Sequence, residues 1–349
     1  MTFVRPARLR AGDTVAVLSP SWGGPAAFPH IFDAGLAVLR DTFGLRIREY
    51  PTTRAAPADL ARDPAARAGD LCAAFADPEV RAIVASIGGE DSVRLLPHLD
   101  PEVLRENPKI LMGYSDTTTL LAYLAQLGLV SFHGPAVMAG FAQLPSLPPA
   151  FAAHVRAVLF DGPDELAYEP YDRWSEGYPE WADPANTGKV NPSTPRPPSG
   201  GFRFLQGRGK ARGELFGGCI EVLEFLKGTR FWPAPSFWEG KVLFFETSEE
   251  VPPPARVRRM LRNYAMQGAF DRAAALLFGR ARGYSDAQKA ELEREIVGVV
   301  AGELGRTDLP IVADMDFGHT DPQLILPLGV PIEVDCDART ARLCTPAVL

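Results

Sequence analysis

Several short stretches pair a reactive side chain with a turn that would expose it. In Gly113-Tyr114-Ser115-Asp116 the serine falls between an apolar run and a helix-like segment. A serine on such a strand-to-helix turn presents its hydroxyl, with the positive end of the helix behind it. The N–H of the next residue, Asp116, can then help hold an oxyanion. Thr117 stands where a G-x-S-x-G elbow would carry its second glycine. The same residues therefore also read as a plain N-cap, Ser115, with Asp116 in the first turn. Ser86-Ile87-Gly88-Gly89-Glu90-Asp91 is a second such turn, and its paired glycines let another backbone approach and leave N–H groups free. It is an oxyanion-hole contributor or a simple tight turn. Phe244-Phe245-Glu246 puts a carboxylate at the end of an apolar strand. There Glu246 can orient a histidine as the third member of a triad, or be an ordinary strand-end glutamate. Glu249 and Glu250 are expected to face solvent.

The general base has to come from five histidines: His30, His98, His133, His154 and His319. His319 lies in the loop Phe317-Gly318-His319-Thr320-Asp321-Pro322. His133 lies in Phe132-His133-Gly134-Pro135, after a short strand, where it could line the same cleft. His98 and His154 fall in helix-like stretches and are expected at the surface. No HxH or HxxxH spacing occurs, so no metal site is expected. The residues themselves allow Ser115 with His319 or with His133, oriented by Glu246 or by an aspartate.

Positioning such groups is the work of the elements around them. Strand patterns at 14–18, 45–48, 80–87 and 109–114 alternate with helix patterns at 31–42, 58–77, 91–99 and 117–126. That alternation predicts a parallel sheet with helices on its faces. Ligands of such sheets bind beyond the carboxyl ends of the strands. The turns after Leu18, Ile87 and Tyr114 all lie there and can meet in one cleft. After His154 the pattern changes. Residues 168–213 are rich in Pro, Gly, Trp and Tyr and lack periodic elements, which marks a functional segment or a linker. Short strands and helices then return, with a hairpin-like alternation at 332–344. The expected organisation is an N-terminal Rossmann-like domain over 1–160, an aromatic and Pro-rich connection over 161–212, and a C-terminal β-rich α+β domain over 213–349.

The 349 residues are 46% hydrophobic and 23% charged, a balance that excludes a largely disordered chain. A net charge of -7 argues against a nucleic-acid polymer as partner. No apolar run approaches the ~18 residues of a membrane helix. Arg5, Arg8 and Arg10 are followed by Gly12 and Asp13, which interrupt any signal-peptide core, so a cytoplasmic protein is expected. The four cysteines form no CxxC and read as free thiols.

Taken together, the motifs resemble the LD-carboxypeptidase family of serine peptidases. Gly113-Tyr114-Ser115-Asp116, Leu243-Phe244-Phe245-Glu246 and Gly318-His319-Thr320-Asp321-Pro322 occur in that family's order and spacing. Leu18-Ser19-Pro20-Ser21, Ser86-Ile87-Gly88-Gly89, Phe132-His133-Gly134-Pro135 and the Gly217-Gly218 region are also similar to it. The resemblance implies an α/β fold of two domains with the active site between them. It implies Ser115 as nucleophile, Glu246 as orienter and His319 as general base and acid. The oxyanion hole would use the N–H groups of Asp116 and Gly89, with no metal and no cofactor, and a homodimer is expected. One branch of the family removes the terminal D-alanine of murein L,D-tetrapeptides. Another, the microcin C immunity peptidases, cleaves aminoacyl-nucleotide-like compounds and carries a longer loop with tryptophans. Residues 168–201 supply such a loop here. It makes Trp174 and Trp181, with Gly88 and His133, the expected substrate-binding residues, unless the tryptophans merely anchor the loop. Cys219 stands where related sequences often have asparagine.

Overall fold

A computed structural model describes residues 2–197 and 200–349; Pro198 and Ser199, within the expected loop, lie outside them. Thr14–Leu18 (β1), Arg46–Glu49 (β2), Val80–Ala85 (β3), Ile110–Gly113 (β4) and Ser131–His133 (β5) form the N-terminal sheet in the order β5-β4-β3-β1-β2, all parallel. Every residue of β1 and β4 is buried. That is what strands covered on both faces require, and it explains their unbroken apolar runs. The predicted 58–77 helix is two helices, Pro57–Arg62 and Pro64–Ala76. Pro64 cannot continue the first helix, and Asp63 caps the second by accepting from the Ala66 N–H. The expected helix after Asp91 is a 3-10 turn, Ser92–His98, with Pro97 inside it.

The remaining strands are Leu166–Ala167 (β6), Arg173–Trp174 (β7), Thr194–Pro195 (β8), Arg203–Gln206 (β9), Lys210–Cys219 (β10), Val242–Glu246 (β11), Ala275–Gly279 (β12), Ile311–Met315 (β13), Leu326–Leu328 (β14), Pro331–Asp335 (β15) and Thr340–Leu343 (β16). The C-terminal sheet runs β6-β16-β15-β10-β11-β12-β13-β9. Its centre, β10 to β13, is parallel, and antiparallel strands flank it on both sides. The sheets do not follow the chain boundaries expected from sequence. β6 and β9 precede residue 213 yet join the C-terminal sheet. β14 crosses back to pair antiparallel with β5, Leu326 opposite His133. One continuous apolar cluster runs through both sheets.

The long connection is tied to the C-terminal sheet by a buried ionic cluster. Asp316 has no exposed surface. It pairs with Arg280 and accepts two 2.8 Å bonds from Arg196 and one of 2.9 Å from the Tyr171 N–H. Arg280 also reaches Asp314 at 3.0 Å and lies 4.1 Å from the centre of the Trp174 ring. Buried charges survive only when paired, and removing one partner of a buried pair costs about 3–5 kcal/mol. Arg280→Leu is expected to lose stability of that order in urea unfolding; a loss under about 1 kcal/mol would contradict the role given to the cluster.

Candidate active site

β4 ends at Gly113, and the chain turns through Tyr114 into a 3-10 turn, Ser115–Thr117, that leads into helix Thr118–Gln126. Ser115 has φ +56°, a left-handed conformation rare for a residue with a Cβ. Such strain costs about 1–3 kcal/mol and concentrates at functional sites. Asp116 is fully buried, and its carboxylate accepts a 2.7 Å bond from the Ser92 N–H, which holds the turn. Facing it is the turn after β3. A Cβ on Gly88 would lie 2.8 Å from Ser115 Oγ, so only glycine allows this approach. Gly89 has φ +147°, and a Cβ there would lie 2.2 Å from Ser21 Oγ. The N–H groups of Gly89 and Asp116 make no hydrogen bond among the described residues.

The second half of the site comes from the C-terminal sheet. Glu246 is the last residue of β11 and has no exposed surface. Its Oε2 accepts the Nδ1–H of His319 at 2.7 Å. Gly318, at φ +94°, makes room for that carboxylate, because a Cβ there would lie 2.6 Å from Oε2. The edge of the Tyr114 ring packs 5.0 Å from the imidazole of His319. The other ring nitrogen, Nε2, lies 2.9 Å from Glu249 Oε2. Burial alone would make His319 harder to protonate, but the Glu246 and Glu249 carboxylates outweigh it and hold its pKa at about 10. Burial pushes Glu246 upward, partly offset by His319. The adjacent histidine draws Glu249 down to about 2 against its burial.

Ser115, His319, Gly88, Gly89, Glu249 and Arg282 open onto one cavity of about 890 Å³. Aromatic side chains line the same cavity. Trp181 stacks on Tyr178 at 5.6 Å and meets the edge of Phe28 at 5.7 Å, and Phe28 packs 6.0 Å from Trp22. The connection that carries Tyr178 and Trp181 is fastened to the histidine loop. Ser175 and Asp321 exchange backbone hydrogen bonds of 2.7 and 3.0 Å, and Tyr178 Oη donates to Asp321 Oδ2 at 2.6 Å. Among the described residues, no group of three or more His, Cys, Asp or Glu is placed to hold a metal ion.

The structure thus gathers Ser115, Glu246, His319, Gly88, Gly89, Asp116 and Trp181, and corrects other expectations. Trp174 does not line this cavity. It lines a second one, where Arg280 and Arg196 lie against its ring. His133 is fully buried among Tyr114, Phe244 and Phe317. Burial, with His319 nearby, pushes its pKa down to about 3, so it is a neutral core residue rather than a ligand contact. His154 is not at the surface either: its Nε2 accepts the Ile325 N–H at 2.8 Å. Glu249 is exposed, as expected, and its carboxylate also meets His319 Nε2. Cys219 is buried, with its N–H bonded to Thr118 Oγ1 at 3.2 Å and its Sγ near Glu221. No motif marks Trp22 or Arg282 as a site residue, yet each follows a strand of a parallel run, β1 or β12, where ligands gather. Tyr178 lies in the Tyr- and Trp-rich stretch 168–213, whose composition marks it, whereas Phe28 sits in no motif.

Residues 15–134 match the model of the LD-carboxypeptidase N-terminal domain, and residues 212–334 that of the LD-carboxypeptidase C-terminal domain. The chain belongs to the LD-carboxypeptidase family. It is a serine peptidase, a hydrolase. A Streptomyces coelicolor protein whose carboxypeptidase name is provisional is 34% identical over 99% of this chain and 98% of its own. The microcin C7 self-immunity protein MccF of Escherichia coli is 29% identical over 76% of this chain and 74% of its own. A structure of MccF in complex with aspartyl sulfamoyl adenosine superposes with a TM-score of 0.85 at 27% identity, over 99% of this chain and 100% of that one. No helix among the described residues is long and apolar enough to cross a membrane.

The charge on His319 carries a stability signature. A histidine whose folded pKa is raised contributes stability that is fully present below its unfolded value near 6.5 and lost as pH rises through the folded value of about 10. The stability gap between the wild type and Glu246→Gln is therefore expected to shrink from pH 6 to pH 10 in urea unfolding. A gap that widens over that range would contradict the assignment.

Proposed function

We propose that Ser115, Glu246 and His319 act as a catalytic triad that hydrolyses the acyl link of aminoacyl- or peptidyl-nucleotide-like compounds. The observation that carries this reading is the cavity itself. It brings the strained serine and the carboxylate-bound histidine into one space with Trp22, Phe28, Tyr178 and Trp181. Aromatic faces bind nucleobases with about 1–3 kcal/mol of stacking each. The MccF complex with aspartyl sulfamoyl adenosine supports it, because that ligand joins an aminoacyl group to a nucleoside.

In this reading His319 takes the Ser115 proton through Nε2 while Oγ attacks the acyl carbon. Glu246 fixes the ring through Nδ1 and stabilises the imidazolium that forms. The developing oxyanion is met by the Asp116 and Gly89 N–H groups, which cost no reorganisation because they are already unpaired. His319 then protonates the leaving group, and water repeats the sequence on the acyl-enzyme. No cofactor enters. The cleavage would serve detoxification, as self-immunity.

The test sets the wild type beside Ser115→Ala, with an aminoacyl sulfamoyl adenosine and an L,D-linked murein tetrapeptide as substrates and mass spectrometry as readout. Serine-dependent release of the free amino acid is expected. Trp181→Ala should raise KM for the adenosine compound about tenfold, the equivalent of ~1.4 kcal/mol of stacking, and Trp174→Phe should leave it unchanged. Release of D-alanine alone would overturn the nucleotide reading in favour of murein recycling.

A further inference from the structure

His319 cannot act as a base in the arrangement described above. Nδ1 is committed to Glu246, so Nε2 is the only nitrogen left to receive the Ser115 proton, and Glu249 Oε2 stands 2.9 Å from it. The approach is close but poorly aligned, and Nε2 makes no true hydrogen bond. The contact is therefore Coulombic rather than directional, which is the kind that a competing cation displaces. The backbone before Glu249 is fixed: buried Glu221 accepts the Ser248 N–H at 3.0 Å and the Ser248 hydroxyl at 2.8 Å. The Glu249 side chain is more than half exposed, at 57%, so it can swing while its backbone stays in place.

We propose that Glu249 gates His319: it occupies Nε2 in the resting enzyme, and an ammonium group on the acyl side of the substrate draws it away. This rests on the triad reading above and names the substrate class for it. The geometry sets where that ammonium must be. Nε2 must come within hydrogen-bond reach of Ser115 Oγ, and Glu249 starts one contact away from Nε2. A cation that captures Glu249 therefore lies within a few ångströms of the scissile carbonyl, the place of a free α-amino group. The same carboxylate would then serve as the specificity determinant for unblocked aminoacyl groups.

The charges that face this pair come from every neighbouring element. Glu246 ends β11, Asp321 shares the loop of His319, His133 lies in β5, and Arg282 follows β12. Tyr114 and Tyr178 complete the surroundings. Arg282 lines the cavity with Glu249 and attracts its carboxylate through space. Removing the Glu249 charge takes away one of the two carboxylates that hold a proton on His319, so His319 becomes easier to deprotonate.

The experiment measures kcat/KM against pH for an aminoacyl sulfamoyl adenosine and its N-acetylated counterpart, on the wild type, Glu249→Gln and Ser115→Ala. The wild type is expected to favour the free amine by tenfold or more. In Glu249→Gln that preference should fall below threefold, and the acid limb of the profile should move to lower pH. If Ser115 is required but Glu249→Gln changes neither quantity, the gate is overturned and the triad stands. If turnover survives in Ser115→Ala, the triad reading itself falls. A readout without turnover is a nuclear magnetic resonance titration of His319 in Ser115→Ala, with and without the free-amine compound. Binding is expected to lower the midpoint, and an unchanged midpoint overturns the gate.

Discussion

A carboxylate with no exposed surface sits at the end of a strand that is apolar along its whole length, and His319 is what makes it tolerable. Glu246 in that position would otherwise be an uncompensated buried charge, which proteins avoid by pairing or neutralising it. The 2.7 Å bond to Nδ1 supplies the pair. Much of the local architecture follows from keeping that bond. Gly318 has no side chain because the carboxylate needs the space, and the histidine loop must return to the end of β11 rather than run out to solvent.

The partner of that pair, Ser115, belongs to the other sheet, so the two sheets must be held in fixed relation. Two features do this. β14 leaves the histidine loop and pairs with β5, next to β4, the strand that leads to Ser115. The Cys219 N–H at the end of β10 bonds to Thr118 on the helix that follows Ser115. The Asp316 cluster and the Ser175–Asp321 backbone bonds tie the long connection to the histidine loop. The aromatic wall of the cavity is therefore not a free flap. Tyr178 is bonded to Asp321, two residues from His319, so whatever stacks on Trp181 is positioned against the histidine loop.

What could be read in the residues was the local part of this. Unbroken apolar runs ending in Ser-Pro, Gly-Gly and Tyr-Ser marked parallel strands and their ligand-bearing ends, because burial on both faces leaves a strong pattern. What could not be read depends on contacts across the chain. The return of β14 to the N-terminal sheet is a pairing between residues nearly two hundred apart in sequence. Trp174 and Trp181 are seven residues apart and look alike as stacking platforms, yet arginines lie against one and the other faces the cavity. His133 sits in the motif-like tetrapeptide Phe132-His133-Gly134-Pro135, but the strand pairing on both sides of it closes it into the core. Glu249 keeps the exposure that its place after a strand end predicts; what the sequence does not show is its contact with a histidine seventy residues further on.

The central claim is that Ser115 carries the acyl group during the reaction. Acid-quenched intact-protein mass spectrometry during turnover of an aminoacyl sulfamoyl adenosine reads this directly. The account predicts a transient mass increase equal to the aminoacyl group, mapping to the peptide that contains Ser115 and absent from Ser115→Ala. An adduct on another residue, or amino acid released while no Ser115 adduct forms even in His319→Asn, would contradict it.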